Sequence, residues 1–133
     1  MRRTVSTGSP WEGVVGYSRA VRVGDVVHVA GTTAMRDGTV VAPGDAYAQA
    51  SVALGIIVAA LAECGASPAD VVRTRIYVTD IGDWEEVGRA HGEVFADVRP
   101  ASTMVQVAAL IDPDLLVEIE AEAIVDPASP AGI

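Results

Sequence analysis

The sequence has one cysteine, few basic residues and no long hydrophobic run. A single thiol, Cys64, excludes an internal disulfide, and its place at the end of an apolar helical segment predicts a packed core thiol. No apolar run approaches the roughly 20 residues that span a bilayer. Residues 1–10 also lack the apolar centre of a signal peptide. These absences predict a soluble, cytoplasmic protein without a membrane partner.

The shortage of basic residues also limits the possible ligands. Nine basic residues face 18 acidic ones, which gives a net charge of −9 and a pI near 4.4. An acidic surface repels phosphate backbones, so we predict no nucleic-acid partner. The only histidines, His28 and His91, lack metal-ligand spacing, and no glycine-rich phosphate loop is present. The sequence therefore predicts neither a metal nor a cofactor.

Length and local patterns predict one domain over residues 1–133, with an irregular arm at 1–13 and a tail at 126–133. A helix is predicted between Asp45 as N-cap and Gly65 as C-terminal stop. A second helix is predicted to begin at Asp83, with Glu86 as its capping-box partner and Trp84 on its inner face. Alternation and turn residues predict strands at 18–23, 26–30, 39–41, 71–79, 103–109 and 116–125.

This β-β-β-α-β-α-β-β order indicates an α+β sheet with both helices packed on one face. Strand alternation predicts a polar second face, which is either an ordinary solvated face or a contact between subunits. We expect the contact, with Arg–Glu pairs across neighbouring strands. The polar face should carry His28, Arg73, Arg75, Tyr77, Met104, Gln106, Glu118, Glu120 and Glu122.

The last strand has the clearest pattern in the chain. Three carboxylates on one side, at Glu118, Glu120 and Glu122, alternate with apolar residues on the other. Same-face neighbours on a strand lie about 6.8 Å apart, so the three carboxylates form one row. The row is either a solvated face or part of a functional site.

Several motifs resemble those of the Rid family, the reactive intermediate deaminases, also called the YjgF or endoribonuclease L-PSP family. They are Gly16–Val21, the segment VVRTRIYVTD at 71–80, Arg99-Pro100-Ala101 and Val117–Glu120. The resemblance spans residues 8 to 125. It implies a chorismate-mutase-like fold and a homotrimer with three clefts between subunits. The implied activity is hydrolysis of enamines or imines to a ketone and ammonia, without a cofactor.

The resemblance also assigns roles to three residues that match the family pattern. Glu118 would be catalytic and would orient or deprotonate the attacking water. Tyr17 would be catalytic by binding or protonating the substrate, and Gly31 would supply a backbone contact. A carboxylate in a cleft beside a second one, Glu120, is expected to have a raised pKa, as general acid–base catalysis requires.

Three substrate-binding positions depart from the family pattern. Where the family has the arginine that binds the substrate carboxylate, this chain has Ser102. Gly88 stands in place of the family's asparagine in the second helix, and Met104 in place of its frequent cysteine. A serine hydroxyl cannot replace a bidentate Arg–carboxylate pair. We therefore expect substrates without an α-carboxylate to be preferred, unless Arg19, Arg75 or Arg99 replaces the clamp.

Three functions remain open from the sequence. The first is a Rid-like hydrolase with altered specificity. The second is a protein that binds or scavenges a metabolite without turnover, because the main substrate anchor is absent. The third is a ribonuclease or translation inhibitor, which the acidic charge disfavours.

Overall fold

The computed structural model describes residues 1–127, so most of the predicted tail at 126–133 lies outside the described residues. Eight strands and two α-helices make up the regular structure of this part of the chain. They are β1 (Arg2–Val5), β2 (Ala20–Val23), β3 (Val26–Thr33), β4 (Met35–Arg36), β5 (Thr39–Val40), α1 (Ala46–Glu63), β6 (Val71–Val78), α2 (Trp84–Phe95), β7 (Ala101–Gln106) and β8 (Val117–Ile124).

Six strands form one mixed sheet in the order β1-β2-β3-β8-β6-β7. Only the β6–β7 pair is parallel. The predicted strand at 39–41 is present as β5, but it belongs to a separate two-stranded ribbon, β4–β5, and not to the main sheet. The prediction of an irregular arm at 1–13 is wrong, because this segment contains β1. Only Val5 of β1 is buried, so this edge strand has no alternating pattern and is held by backbone pairing with β2.

Both predicted ends of α1 are confirmed. The Asp45 carboxylate accepts a hydrogen bond from the Ala48 N–H at 2.9 Å. Gly65 has a φ of +75°, and the Ala66 N–H donates to the Leu61 carbonyl at 2.8 Å, as in a Schellman motif. By length and composition α1 could span a bilayer. It packs against the sheet with eight buried residues, which is typical of a core helix.

The predicted start of α2 is confirmed, because Asp83 is the N-cap residue and the helix begins at Trp84, but the predicted side-chain cap is wrong. Asp83 makes no side-chain cap and lies inside a 3₁₀ turn, Ile81–Asp83. The cap of that turn is Asp80, whose carboxylate accepts from the Gly82 N–H at 2.8 Å. Trp84, predicted on the inner face of the helix, is 56% exposed and lies outside the core. The buried residues of α2 are Val87, Ala90 and Phe95.

β8 lies at the centre of the sheet, between β3 and β6, and its predicted alternation is confirmed. The apolar residues from Val117 to Ala123 are buried towards the helices, and Cys64 is buried in the same core. Gln49 on α1 fixes the start of the strand. Its buried amide accepts from the Leu116 N–H at 2.8 Å and donates to the Asp114 carbonyl at 2.9 Å.

The face assigned to Met104 and Gln106 is wrong. In the parallel β6–β7 pair, Met104 lies beside Ile76 and Gln106 beside Val78, and both β6 residues are buried on the helix face. Met104 also packs against the core. Alternation separates the two faces of a strand, but the pairing partner determines which face is inner. The direction of β7 was therefore not available from its own residues.

Candidate active site

A cavity of about 780 Å³ opens between the N-terminal segment, β3 and β8. The structure brings together four residues singled out in the sequence, Tyr17, Arg19, Gly31 and Glu118, on its wall. Much of the remaining wall is apolar, from Trp11, Val15, Met35, Ile56 and Ile111. A small organic molecule with one polar end fits this combination of groups.

The Glu118 carboxylate lies directly against the backbone of Gly31. A Cβ at position 31 would overlap the Glu118 Oε2 and lie 3.0 Å from its Cδ. The sequence predicted that the strand would end before Gly31, but β3 continues to Thr33, with a register shift between Val29 and Thr32. This irregularity and the missing side chain together leave the space that the carboxylate occupies.

The environment of Glu118 suits a catalytic base. Burial raises the pKa of this carboxyl, the charge of Glu120 raises it further, and Arg19 lowers it in part. A raised pKa brings a glutamate closer to the range in which it can accept a proton from water and release it again. The sequence-based expectation of a raised pKa is confirmed, with burial as the main cause.

Arg19 is the buried cation of the cavity and is only 6% exposed. Its Nη1 donates to the Gly31 carbonyl at 2.7 Å and to the Thr32 hydroxyl at 3.0 Å. Its Nη2 donates to the Tyr17 hydroxyl at 3.4 Å, and the guanidinium carbon lies 5.5 Å from the Tyr17 ring centroid. Arg19 therefore joins the tyrosine to the irregular part of β3.

No sequence pattern indicated the role of Glu12. This residue begins a π-helical turn, Glu12–Gly16, and its side chain is buried. Burial opposes its ionisation, but hydrogen bonds to Oε2, at 2.6 Å from the Thr7 hydroxyl and 3.3 Å from the Thr7 N–H, keep its pKa below the usual value. These bonds fix the N-terminal segment that covers the cavity.

Ser102, Met104 and Gly88 do not line this cavity. Ser102 lies on the helix face of β7, where its hydroxyl accepts from Thr74 Oγ1 at 2.8 Å. The same Thr74 oxygen is hydrogen bonded to His91 Nε2 at 2.8 Å, and burial lowers the pKa of His91. Gly88 is on α2, where an added Cβ would meet no atom within 4 Å. Within one chain, the three positions that depart from the family pattern therefore lie away from the cavity that holds Tyr17, Gly31 and Glu118.

Arg75 also lies outside the cavity, in a smaller depression of about 260 Å³ on the uncovered sheet face. It pairs with Glu122 at 2.9 Å and with Glu120 at 3.4 Å. The Tyr77 hydroxyl donates to Glu120 at 2.9 Å. The hydrogen bond from Arg75 holds the pKa of Glu122 below its usual range. These contacts are the cross-strand Arg–Glu pairs expected from the sequence, and they occupy the Arg75 guanidinium.

Within residues 1–127, no group of three or more His, Cys, Asp or Glu side chains is placed to hold a metal ion. The reactive groups on the cavity wall are of three kinds: the Glu118 and Asp37 carboxyls, the Tyr17 phenol, and the Arg19 and Arg36 guanidiniums. They can activate water, donate a proton and bind an anion, respectively.

The fold and the cavity define a class of small α+β proteins, in which a mixed six-stranded sheet carries two helices and an acid–phenol site. The chain belongs to the Rid/YjgF/L-PSP family, because the family model described as Endoribonuclease L-PSP matches residues 9–125.

Solved structures and characterised relatives agree with this assignment. The crystal structure of a Mycobacterium tuberculosis member of the YjgF/YER057c/UK114 family is 55% identical, with a TM-score of 0.86 over 94% of this chain and 100% of that one. The 3-aminoacrylate deaminase of Acinetobacter baylyi is 35% identical, covering 77% of this chain and 82% of its own length. The 2-iminobutanoate/2-iminopropanoate deaminase of Escherichia coli is 28% identical, covering 93% and 98%.

Proposed function

We propose that this protein hydrolyses small enamines or imines to a carbonyl compound and ammonia in the cavity beside Glu118. The observation that carries the proposal is the Glu118 carboxyl, half-buried against Gly31 with a raised pKa, in one cavity with Tyr17. Support also comes from the two deaminases among the relatives, one named for an enamine and one for imines.

In the proposed reaction, water adds to the carbon of the C=N bond, while the Glu118 carboxylate accepts a proton from that water. The Tyr17 hydroxyl donates a proton or a hydrogen bond to the nitrogen. The resulting carbinolamine loses ammonia and leaves the carbonyl product, so one water is consumed for each ammonia released. An enamine enters the same path after it tautomerises to the imine.

The chain contains no lysine. No lysine side chain can therefore form the covalent Schiff base by which many enzymes process carbonyl compounds. Direct attack by water, assisted by a general base, is the route that the residues of the cavity support. General acid–base assistance of this kind typically contributes about 10²- to 10⁴-fold in rate.

The proposal includes a cytoplasmic homotrimer, with a small molecule as the ligand and neither nucleic acid nor membrane as a partner. The uncovered sheet face supports the assembly, because it combines the Arg75–Glu pairs with exposed apolar residues. These are Val23, Val26, Val105 and Ile124, which are 37–51% exposed. Ser102, at the edge of the sheet, is proposed to alter substrate specificity relative to family members with arginine there.

The test is ammonia release from a panel of imines, generated by amino-acid or amine oxidases, with and without the protein. Wild type should accelerate release, and Glu118→Gln should lower that acceleration by about 10²-fold or more. Glu122→Gln is the matched control, because Glu122 lies on the same strand face but pairs with Arg75 outside the cavity. Equal losses in both variants would contradict a specific role for Glu118.

The second candidate function is ligand binding without turnover. It is favoured by the placement of Ser102, whose hydroxyl is bonded to Thr74 on the opposite face of the sheet from Glu118. Saturable binding of an imine analogue without ammonia release from any member of the panel would support this alternative. A ribonuclease is the weakest candidate, since the net charge is −9 and the cavity has no basic stripe.

A further inference from the structure

Arg19 lies between the two groups of the proposed reaction, Glu118 and Tyr17. Its side chain is 6% exposed. Its backbone is paired on both sides, because its N–H donates to the Val5 carbonyl at 2.8 Å and its carbonyl accepts from the Ala30 N–H at 2.9 Å. A buried side chain on a backbone held from two sides has little freedom to move. The guanidinium is therefore a fixed part of the cavity wall.

One end of the guanidinium is bonded to the backbone against which Glu118 packs. Nη1 donates to the Gly31 carbonyl at 2.7 Å and to the Thr32 hydroxyl at 3.0 Å, where β3 changes register. The Glu118 carboxylate lies against the Cα of the same glycine. A shift of Gly31 would therefore move the surface that supports the carboxylate.

The other end of the guanidinium reaches the proposed proton donor. Nη2 donates to the Tyr17 hydroxyl at 3.4 Å, and the guanidinium carbon lies 5.5 Å from the Tyr17 ring centroid. A hydroxyl that accepts from a guanidinium has its own hydrogen free to donate elsewhere. This contact favours the orientation in which Tyr17 donates to the substrate nitrogen.

The charge of Arg19 also acts on Glu118. Burial and the charge of Glu120 raise the pKa of the Glu118 carboxyl, and the charge of Arg19 opposes both. The residues opposite Glu118 on the neighbouring strands carry no charge. They are Thr33 on β3 and Tyr77 on β6, and the hydrogen bond from Tyr77 to Glu120 raises the pKa of that phenol. Arg19 is therefore the cation that offsets burial at the proposed base.

We propose that Arg19 is a positioning residue of this site, which holds Gly31 and Tyr17 in place and supplies the countercharge to the Glu118 carboxylate. The inference rests on the proposed function, since it assigns Arg19 to the same reaction. Arg19 acts through two neighbours and through its charge, and it touches no reacting atom.

The first experiment titrates Glu118 in the free protein, so it needs no substrate. The side-chain carboxyl carbons of glutamate are isotope-labelled and followed by NMR as the pH is changed, and the Glu118 signal is identified by its loss in Glu118→Gln. The Glu118 midpoint should be higher in Arg19→Gln than in wild type by about half a pH unit or more. This is less than the shift of about 1–3 units expected for a close ion pair.

Two further variants separate charge from structure. Arg19→Lys retains the charge and should titrate like wild type, whereas a purely structural loss would move the midpoint equally in both Arg19 variants. Arg36→Gln is the matched control, because it removes an exposed positive charge from the same cavity wall. Solvent and salt screen such a charge, so the Glu118 midpoint should stay at its wild-type value. The same shift in Arg36→Gln as in Arg19→Gln would contradict a specific role for Arg19.

Hydrolysis of an imine tests the positioning. Both Arg19→Gln and Arg19→Lys should lower kcat by about tenfold or more with little change in KM, because neither side chain can bond Gly31 and Tyr17 together as the planar guanidinium does. Only Arg19→Gln should move the acidic limb of the pH profile of kcat/KM to higher pH. Unchanged kcat in both variants of an active protein overturns the inference.

The outcomes separate this inference from the proposed hydrolysis. Equal Glu118 midpoints in wild type and Arg19→Gln overturn the inference, whether or not the protein hydrolyses imines. A midpoint that rises in Arg19→Gln and returns in Arg19→Lys supports it, even where no imine releases ammonia and the proposed function fails. If Arg19→Gln does not fold, Arg19→Met takes its place. A raised midpoint in folded Arg19→Lys also overturns the inference, because the charge is still present.

Discussion

A single glycine determines where the proposed catalytic carboxylate can lie. Gly31 has no positive φ, so its backbone conformation is open to any residue. Its importance is steric, because the Glu118 carboxylate occupies the space that a Cβ would fill. The position of the Glu118 carboxylate therefore depends on the absence of a Cβ at Gly31, on the neighbouring strand β3.

Gly31→Ala tests this contact. We expect the added methyl group to displace the Glu118 carboxylate and lower imine hydrolysis by about 10²-fold, the usual contribution of a general base. Gly55→Ala is the matched control, because Gly55 is exposed on α1 and an added Cβ meets no atom within 4 Å. It should leave the rate unchanged and stabilise the helix by about 0.5–1 kcal/mol. Hydrolysis rates and urea unfolding of both variants decide between these outcomes.

His91 makes stability depend on pH. Burial lowers its pKa in the folded state, so the unfolded chain binds a proton at a pH where the folded chain does not. The stability from this group is present above the unfolded pKa of about 6.5 and is lost as the pH falls towards the folded pKa. We expect the free energy of unfolding of wild type to decrease between about pH 7.5 and about pH 5.5.

Urea unfolding of His91→Asn measures that contribution, because asparagine can keep a hydrogen bond with Thr74 but does not titrate. The decrease in stability over this range should be smaller than in wild type. Identical slopes in wild type and His91→Asn would exclude His91 as the source.

At the scale of elements, the two helices show how a capping prediction succeeds or fails. Asp45 has extended backbone angles and its carboxylate reaches the Ala48 N–H. Asp83 has φ −82° and ψ 5° inside a 3₁₀ turn, so its carboxylate makes no cap. Both aspartates precede an apolar helical pattern in the sequence. The difference lies in the backbone that enters each helix.

The two aspartates therefore form a matched pair for mutation. Asp45→Ala should lower the free energy of unfolding by about 1 kcal/mol, within the range of 0.5–2 kcal/mol for a lost N-cap. Asp83→Ala should cost clearly less, since it removes no cap hydrogen bond. Urea unfolding monitored by circular dichroism measures both. A larger loss at Asp83 would mean that its charge at the start of α2 matters more than the missing cap.

At the scale of the whole molecule, the sheet has one face covered by helices and one face without cover. The uncovered face carries Arg75 with its glutamate partners, and it also exposes Val26 and Ile124, which lie side by side on β3 and β8. A face that mixes paired charges with exposed apolar side chains is typical of a contact between subunits.

We predict a trimer of about 41 kDa, from three chains of 13.7 kDa, by light scattering. Ile124→Glu should shift the protein towards monomer, because it places an unpaired charge at the proposed contact. Ala59→Glu is the control on the exposed surface of α1 and should leave the trimer intact. A wild-type monomer at micromolar concentration would contradict the proposed assembly.

The sequence by itself determined the features that depend on neighbours a few residues apart. These include both ends of α1, the alternation of β8, the buried thiol of Cys64 and the motifs that indicated the family. Each follows from a cap, a turn or a period, which are contacts between residues close in the chain. The position of Glu118 on the polar side of β8 was available for the same reason.

Only the tertiary structure decided which residues meet across the sheet. The parallel pairing of β7 with β6 turned Ser102 and Met104 to the helix face, and backbone pairing alone made a strand of Arg2–Val5. The irregular register of β3 brought the Gly31 carbonyl within hydrogen-bonding distance of Arg19. It also placed the Gly31 Cα, which carries no side chain, against the Glu118 carboxylate. Such contacts join residues about 10 to 90 positions apart, and no local pattern encodes them, because strand pairing is set by the burial of the whole sheet.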